Sequence, residues 1–183
     1  MPDDPPGTTV VGYQAEVSEA MVLVSPVDDR GHFMPIDQQS LLQQLRPALA
    51  QTGTGLIEAE TGTTAGGTPF AYTIVKGKMG LLGVQYTLTL HVRSPERTQI
   101  QGSFSECGVT GAREATVLEL KRRDGSVTLG EAGLEGWMRD PYDPSAEGFL
   151  MNLAETHEYD AMFPGHPLTQ ARLLVDAVRR SFS

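Results

Sequence analysis

Between Val84 and Glu106 the apolar residues fall at every second position. Tyr86, Leu88, Leu90 and Val92 alternate with Gln85, Thr87, Thr89, His91 and Arg93. Successive side chains of a strand point to opposite faces, so this period of two specifies a strand with one apolar side and excludes an amphipathic helix. After the turn residues Ser94-Pro95-Glu96-Arg97 the pattern resumes. Ile100, Gly102 and Phe104 share one face, and Gln99, Gln101, Ser103 and Ser105 share the other. Two such runs joined by a short polar turn form an antiparallel hairpin with a single covered side. The apolar side must be buried against a second layer, which makes helices packed on a sheet the expected architecture.

The flanking segments supply that layer. Leu56–Thr61 and Pro69–Lys76 flank Gly62-Thr63-Thr64-Ala65-Gly66-Gly67, a first hairpin around a Gly-rich turn, and Lys76–Gly83 reads as a flexible connection to the second. Val10–Val24 holds one or two strands, firmest at Met21-Val22-Leu23-Val24, closed by turn chemistry at Pro26–Gly31. Asp37 is placed to cap a helix whose Leu41, Leu42, Leu45, Ala48 and Leu49 form one apolar stripe. Pro47 lies on the polar side, where it either bends that helix or ends it at Arg46. Thr110–Arg123 is rich in helix formers, with Thr110 as the expected cap.

Asp124–Asp140 reads as loop with one short strand, Pro141–Pro144 as a turn, and Glu147–Phe163 as a short helix or two. The chain ends on an amphipathic helix opening at Pro167, with Leu168, Ala171, Leu174, Val175, Val178 and Phe182 on one side. The expectation is therefore an α+β fold: an antiparallel sheet of about six strands built on two hairpins, packed by helices. Its parts are a loose tail at 1–8, a core at 9–123, and a loop-rich C-terminal extension at 124–183 packed on the same domain.

Element order over Val10–Arg123, and the turn Glu106-Cys107-Gly108-Val109-Thr110-Gly111-Ala112-Arg113-Glu114-Ala115, resemble the PsbP-like α/β/α sandwich group. That group includes photosystem accessory proteins, small bacterial lipoproteins, a nuclear-transport regulator and secretion chaperones. The resemblance implies binding to other proteins rather than a reaction. The C-terminal 60 or so residues fall outside it, and the lipoprotein signal of the secreted bacterial members is missing.

Composition narrows function mostly by exclusion. Acidic residues number 23 against 14 basic ones, a net charge of −9, and the longest basic run, Lys121-Arg122-Arg123, is flanked by Glu119 and Asp124. A nucleic-acid ligand is therefore not expected; a basic protein partner is compatible, and solubility alone accounts for the charge. Cys107 is the only cysteine, which excludes an internal disulfide and multi-cysteine zinc sites. Met-Pro-Asp-Asp-Pro-Pro at the start lacks the features of a secretory signal, and no apolar run reaches the ~18 residues of a membrane span, so the cytoplasm is the expected compartment.

Catalytic patterns fail one by one. Gly102-Ser103-Phe104-Ser105-Glu106 lacks the second glycine of a nucleophile elbow and lies within a strand. Cys107 precedes a helix, which favours a thiolate, but pairing through the Ser94–Arg97 turn sets His91 opposite Gln99 to Gln101, several residues short of it. The Gly62–Gly67 loop has no following helix and no Gly-Lys-Ser/Thr. His157, Glu158, Asp160 and His166 are the metal candidates, yet no His-Glu-x-x-His exists; a solvated acidic helix followed by a His-Pro cap is the expected reading, with no metal or cofactor.

Two features resist a bland reading. The uncharged polar face Gln85, Thr87, Thr89, His91, Gln99, Gln101, Ser103 and Ser105 is either a binding surface or a face that meets a helix or water. The loop Gly136–Pro144 carries the single Trp, Trp137, which serves as an interface anchor or, the favoured option, a core plug holding the C-terminal segment. A non-catalytic protein-binding module, of an accessory, chaperone-like or immunity type, is the leading expectation. The alternative is a small-molecule binder or an enzyme with its site between the sheet and the C-terminal extension, around His157 and His166.

Overall fold

The alternation read from the sequence becomes the centre of one six-stranded antiparallel sheet in a computed structural model that describes residues 7–27, 33–80, 83–131 and 133–181. The strands are β1 (Thr9–Gln14), β2 (Ser18–Pro26), β3 (Gly55–Thr63), β4 (Pro69–Met79), β5 (Gly83–Val92) and β6 (Thr98–Glu106). Their order across the sheet is β1-β2-β6-β5-β4-β3, all neighbours antiparallel. Three helices accompany it: α1 (Gln38–Thr52), α2 (Ala112–Arg123) and α3 (Pro167–Ser181). The expected α+β class with a C-terminal helix is what the chain adopts.

The period of two decides which helix goes where. Phe70, Tyr72 and Ile74 of β4, with Tyr86, Leu88, Leu90, Val92, Ile100 and Phe104, share one face and pack against Leu168, Ala171, Val175 and Val178 of α3. Ala71 and Val75 point the other way and join Leu56 and Ala59 of β3 with Leu41, Leu42, Leu45 and Leu49 of α1. The larger core therefore lies under α3. Burying one Leu or Phe side chain contributes roughly 1.5–3 kcal/mol, so this face supplies most of the apolar driving force.

Helix ends follow local chemistry. The Asp37 carboxylate accepts from the Ser40 amide at 2.8 Å, and Gly53 ends α1 in the left-handed conformation. Pro47 does not stop α1, which runs on to Thr52. Thr110 is not the cap of α2: Gly111 holds that position at φ 75°, and its N–H is bound instead by the Glu106 carboxylate at 2.9 Å. The expected flexible connection at Lys76–Gly83 is also shorter than the glycines suggest. Lys76, Gly77, Lys78 and Met79 stay in register with Tyr86, Gln85, Val84 and Gly83, so the ladder runs on to Met79.

Residues 124–166 hold more short strands than expected. β7 (Thr128–Gly130) pairs with β8 (Gly133–Glu135), and β9 (Met138–Arg139) pairs with β10 (Met151–Asn152). The short helical elements expected over Glu147–Phe163 are two 3-10 turns, at Leu153–Glu155 and His157–Tyr159. The turn residues 28–31, His32, Phe182 and tail residues 1–6 lie outside the described set. Among the described residues no helix is long and apolar enough to cross a membrane.

A glycine lets the extension cover one end of the sheet. A Cβ at Gly55, the first residue of β3, would collide with the Phe149 carbonyl oxygen. Gly55→Ala is therefore expected to lift residues 148–152 from β3, lowering the unfolding free energy by about 1–3 kcal/mol in urea titrations and speeding amide exchange in that segment.

Candidate functional site

The polar face read from the sequence is only partly open. Gln101 is exposed, while Gln85, Thr87, Thr89, Gln99 and Ser103 are half-buried among their neighbours. His91 and Ser105 are buried. His91 pairs with Gln99 as expected from the turn, but the Phe33 ring lies tilted against it at 4.6 Å and its Nδ1 accepts the Met34 N–H at 2.9 Å. The segment leading into α1 thus removes His91 from the surface. Ser105 donates to Met79 Sδ at 3.6 Å and lies 3.4 Å from Gln85 Nε2.

Toward β1 the same face opens into a shallow trough of about 490 Å³ whose lining includes Gly12, Gln14, Glu19, Met21, Gln85 and Ser103. The sequence reading missed the β1 and β2 contribution because those strands carry no clean alternation. Trp137 lies elsewhere. It is half-buried against Val117, Ala154, Tyr159 and Phe163, a satellite core under α2. Cys107 turns its thiol toward the β1–β2 connection, 3.4 Å from the Ala15 carbonyl oxygen and 3.7 Å from that of Glu16.

On the α3 side the structure assembles charges that sequence spacing could not connect. Glu58 leaves the α1 face because of a β-bulge: Leu56 pairs with Val75, but Glu58 pairs with Ile74, so Glu58 joins Tyr72 on the α3 face. There Arg172 Nε donates to Glu58, its Nη1 to both Asp160 oxygens at 2.8 and 3.0 Å, and its Nη2 to the Glu155 carbonyl at 2.7 Å. Arg113, fully buried in α2, donates to Asp160 at 2.9 Å, Thr169 Oγ1 at 3.0 Å and the carbonyls of Ala154 and Thr156 at 2.6 and 3.0 Å. Deeper in, Lys76 Nζ and the Tyr86 hydroxyl donate to the two Glu155 oxygens at 2.7 and 2.9 Å.

His157 opens the second 3-10 turn, and its largely exposed ring reaches two acids. Its Nε2 lies 3.1 Å from Glu58 and its Nδ1 3.5 Å from Asp160, and these hydrogen bonds raise the imidazole pKa to about 9. Burial pushes the Asp160 carboxyl upward, but His157, Arg172 and Arg113 outweigh it and hold the group at about 2. Burial likewise opposes ionisation of Glu58, and His157 with Arg172 again keeps it below the usual carboxylate range. The small cleft over these groups, about 130 Å³, is lined by Glu58, Tyr72, His157, Asp160, Arg172 and Arg179. Its acids and cations satisfy one another, which is the pattern of a structural clamp.

A second imidazole behaves differently. His166 does cap α3, its Nδ1 accepting the Leu168 N–H at 3.2 Å. Burial and the Arg113 charge lower its pKa to about 3. Its Nε2 faces Glu106 at 3.7 Å and Glu114 at 3.8 Å, and the three groups offer ligand atoms all within 4.8 Å of one another. Burial raises the Glu114 carboxyl, with the Glu106 and Glu155 charges adding to it. Glu106, Glu114, Glu58, Lys76, Arg113, Glu155 and Arg172 were all missed as site residues. The available signal was Lys76, a charge in the inward phase of β4.

No protein-family model and no curated protein matches this chain.

Arg172→Ala strips Glu58 and Asp160 of their shared guanidinium and is expected to cost about 3–5 kcal/mol in urea unfolding. His157 generates a pH signature. Its folded pKa, about 9, exceeds the ~6.5 of an unfolded histidine, so its contribution is complete below ~6.5 and disappears as pH rises through 9. The ring is largely exposed, which limits the effect to less than about 1 kcal/mol. An NMR titration of its ring signals should show a midpoint near 9, and His157→Gln should remove that part of the stability slope between the two values.

Proposed function

We propose that this chain is a non-catalytic protein-binding module of an accessory, chaperone-like or immunity type, which takes up an extended segment of another protein along β1 and the open sheet face beside it. The observation that carries this reading is the state of the two sheet edges. Edge strands normally carry charges, proline or bulges that deter pairing. β1, Thr-Val-Val-Gly-Tyr-Gln, has none of these, pairs with β2 in unbroken register, and exposes all six residues, Val10, Val11 and Tyr13 among them. The opposite edge, β3, lies under the Phe149–Met151 segment. A strand added at β1 would gain main-chain hydrogen bonds, and the trough beside it would receive alternate side chains.

The chemistry of the partner follows from charge. Glu19 is the charged residue of the trough lining, Glu16 lies in the β1–β2 connection, and the whole chain carries −9, so a neutral-to-basic segment is favoured over an acidic one or a nucleic acid. The PsbP-like resemblance supports the same reading, because protein binding is what that group shares. The second reading, a small-molecule site or enzyme between the sheet and the extension, rests on the cleft at His157, Glu58 and Asp160. The mutual pairing of its charges weighs against it.

Val11→Lys puts a charge on the edge of β1, and Met21→Glu puts one in the trough; both sites are exposed. Affinity purification from native lysate should recover a partner with the wild-type chain and with His157→Gln, and recover it at least about tenfold less with the two β1-side variants. Amide exchange of Thr9–Gln14 should slow in the complex. If light scattering instead shows the wild-type chain pairing with itself and Val11→Lys abolishing that, the occupant is a second copy and the proposal fails. Loss of capture in His157→Gln alone would favour the cleft.

A further inference from the structure

We propose that Glu106, Glu114 and His166 form a binding site for a first-row divalent cation of the Zn²⁺/Mn²⁺ class, at the junction of the sheet with α2 and α3. Each ligand comes from a different element. Glu106 is the last residue of β6, Glu114 sits in the first turn of α2, and His166 immediately precedes α3. One oxygen of each carboxylate and one ring nitrogen lie within 4.8 Å of one another. At a tetrahedral centre with bonds of about 2.1 Å, neighbouring donor atoms stand ~3.4 Å apart. The 3.7 and 3.8 Å from Nε2 to the two carboxylates exceed that by only a few tenths of an ångström, and the two carboxylate oxygens lie within 4.8 Å of each other, so binding draws the three donors together.

An acidic pair alone would carry little weight, since 23 acids provide accidental neighbours. The imidazole supplies the independent observation. Its side chain is 5% exposed, and Nε2 is buried without a hydrogen-bond partner, aimed between the two carboxylates. Glu114 Oε2 is buried without a partner as well. Buried polar atoms are nearly always bonded, and each orphan costs on the order of 1–3 kcal/mol, so an orphaned imidazole nitrogen beside a carboxylate that also keeps an orphaned oxygen marks a place built to receive something. Among the described residues neither Glu106 nor Glu114 has a lysine or arginine ion-pair partner. The nearby Arg113 spends its donors on Asp160, Thr169 and two carbonyls.

The surroundings suit a metal centre. Glu106 Oε2 is fixed by the Gly111 N–H at 2.9 Å, leaving Oε1 directed at His166. The Tyr86 ring packs edge-on against the imidazole at 5.7 Å and restricts its rotation. Cavities of about 130 and 230 Å³ adjoin the cluster on two sides, room for the waters that complete a coordination sphere. One imidazole with two carboxylates is a borderline-to-hard donor set, which selects Zn²⁺, Mn²⁺ or Co²⁺ over soft cations.

Loading also has a marker in the backbone. Without a cation, Nδ1 accepts the Leu168 N–H, so the neutral ring carries its proton on Nε2. The cation takes the Nε2 lone pair, the ring proton relocates to Nδ1 by way of water, and the ring stays neutral. The Leu168 amide then loses its acceptor, and as one of the first amides of α3 it has no intrahelical substitute.

The test uses the full chain dialysed against chelator, titrated with Zn²⁺ or Mn²⁺ by calorimetry, with Mn²⁺ binding also read by electron paramagnetic resonance. One ion per chain is expected, with a raised Tm, a changed Leu168 amide shift and faster Leu168 exchange. Glu114→Gln keeps the shape of the side chain and should weaken binding about tenfold or more; Glu106→Gln should do the same while its amide oxygen still accepts from Gly111. His166→Asn serves as a third variant, judged only where its circular dichroism matches wild type. Absence of stoichiometric binding, unchanged affinity in Glu114→Gln, or a Leu168 amide indifferent to the ion would each overturn the assignment.

Discussion

Arg172 is the interaction on which the arrangement of the C-terminal third depends. One guanidinium ties β3 through Glu58, the 3-10 region through Asp160 and the Glu155 carbonyl, and its own helix α3 into one unit. Desolvating an arginine costs several kcal/mol unless every donor is met by well-placed acceptors. Nε, Nη1 and Nη2 all find acceptors here, and Arg113 meets Asp160 from the other side. Apolar burial is non-directional and by itself fixes the setting of α3 along its stripe of Leu168, Ala171, Val175 and Val178 less sharply than a directional bond, and without one the helix could slide. A guanidinium held at once by Glu58, Asp160 and the Glu155 carbonyl tolerates no such shift. The clamp therefore selects position more than it adds stability, and the apolar core under α3 supplies the latter.

That selection accounts for the asymmetry of the sheet. Holding the extension against β3 puts Phe149–Met151 along one edge, and α3 takes the whole apolar face. α1 is the helix on the reverse face, and it reaches only β3 and β4, where Ala71 and Val75 offer it apolar surface. Across β5 and β6 the reverse face is mostly Thr, Gln and Ser, which cannot hold a helix by apolar burial. The polar residues that looked like a candidate surface are thus the reason no helix packs there by apolar burial, and among the described residues β1 has no strand on its outer side.

What the sequence made legible was local. Period-two runs, the Asp37 cap, the Pro167 start and the Ser94–Arg97 turn are each written in a few consecutive residues, and each appears where it was expected. The charge network was illegible because it joins residues as far apart as Glu58 and Arg172 through a bulge that leaves no sequence mark. Unbroken alternation would have sent Glu58 to the α1 face, away from Arg172. His91 was misplaced for a related reason: the strand phase was right, but its cover, Phe33 and Met34, comes from a segment without periodicity. Thr110 lost the capping role because Gly111 can adopt φ 75° and Glu106 reaches its amide from the end of β6.

The two histidines of the extension show how satisfied and unsatisfied polar atoms separate structure from function. His157 and His166 are nine residues apart, each beside two carboxylates, and spacing alone would treat them alike. His157 carries charge, is largely exposed, and has both nitrogens close to acids that arginine also binds. Nothing there is left over to meet a ligand. His166 is buried and neutral, with one nitrogen spent on the α3 amide and the other facing acids too distant to bond. A fold that invests in ordering three groups around a gap, yet leaves the gap too wide for a hydrogen bond and too polar to remain dry, has set a distance that a bridging cation or water can span. It is the length of that gap, more than the identity of the residues, that sets the His166 cluster apart from the Arg172 clamp.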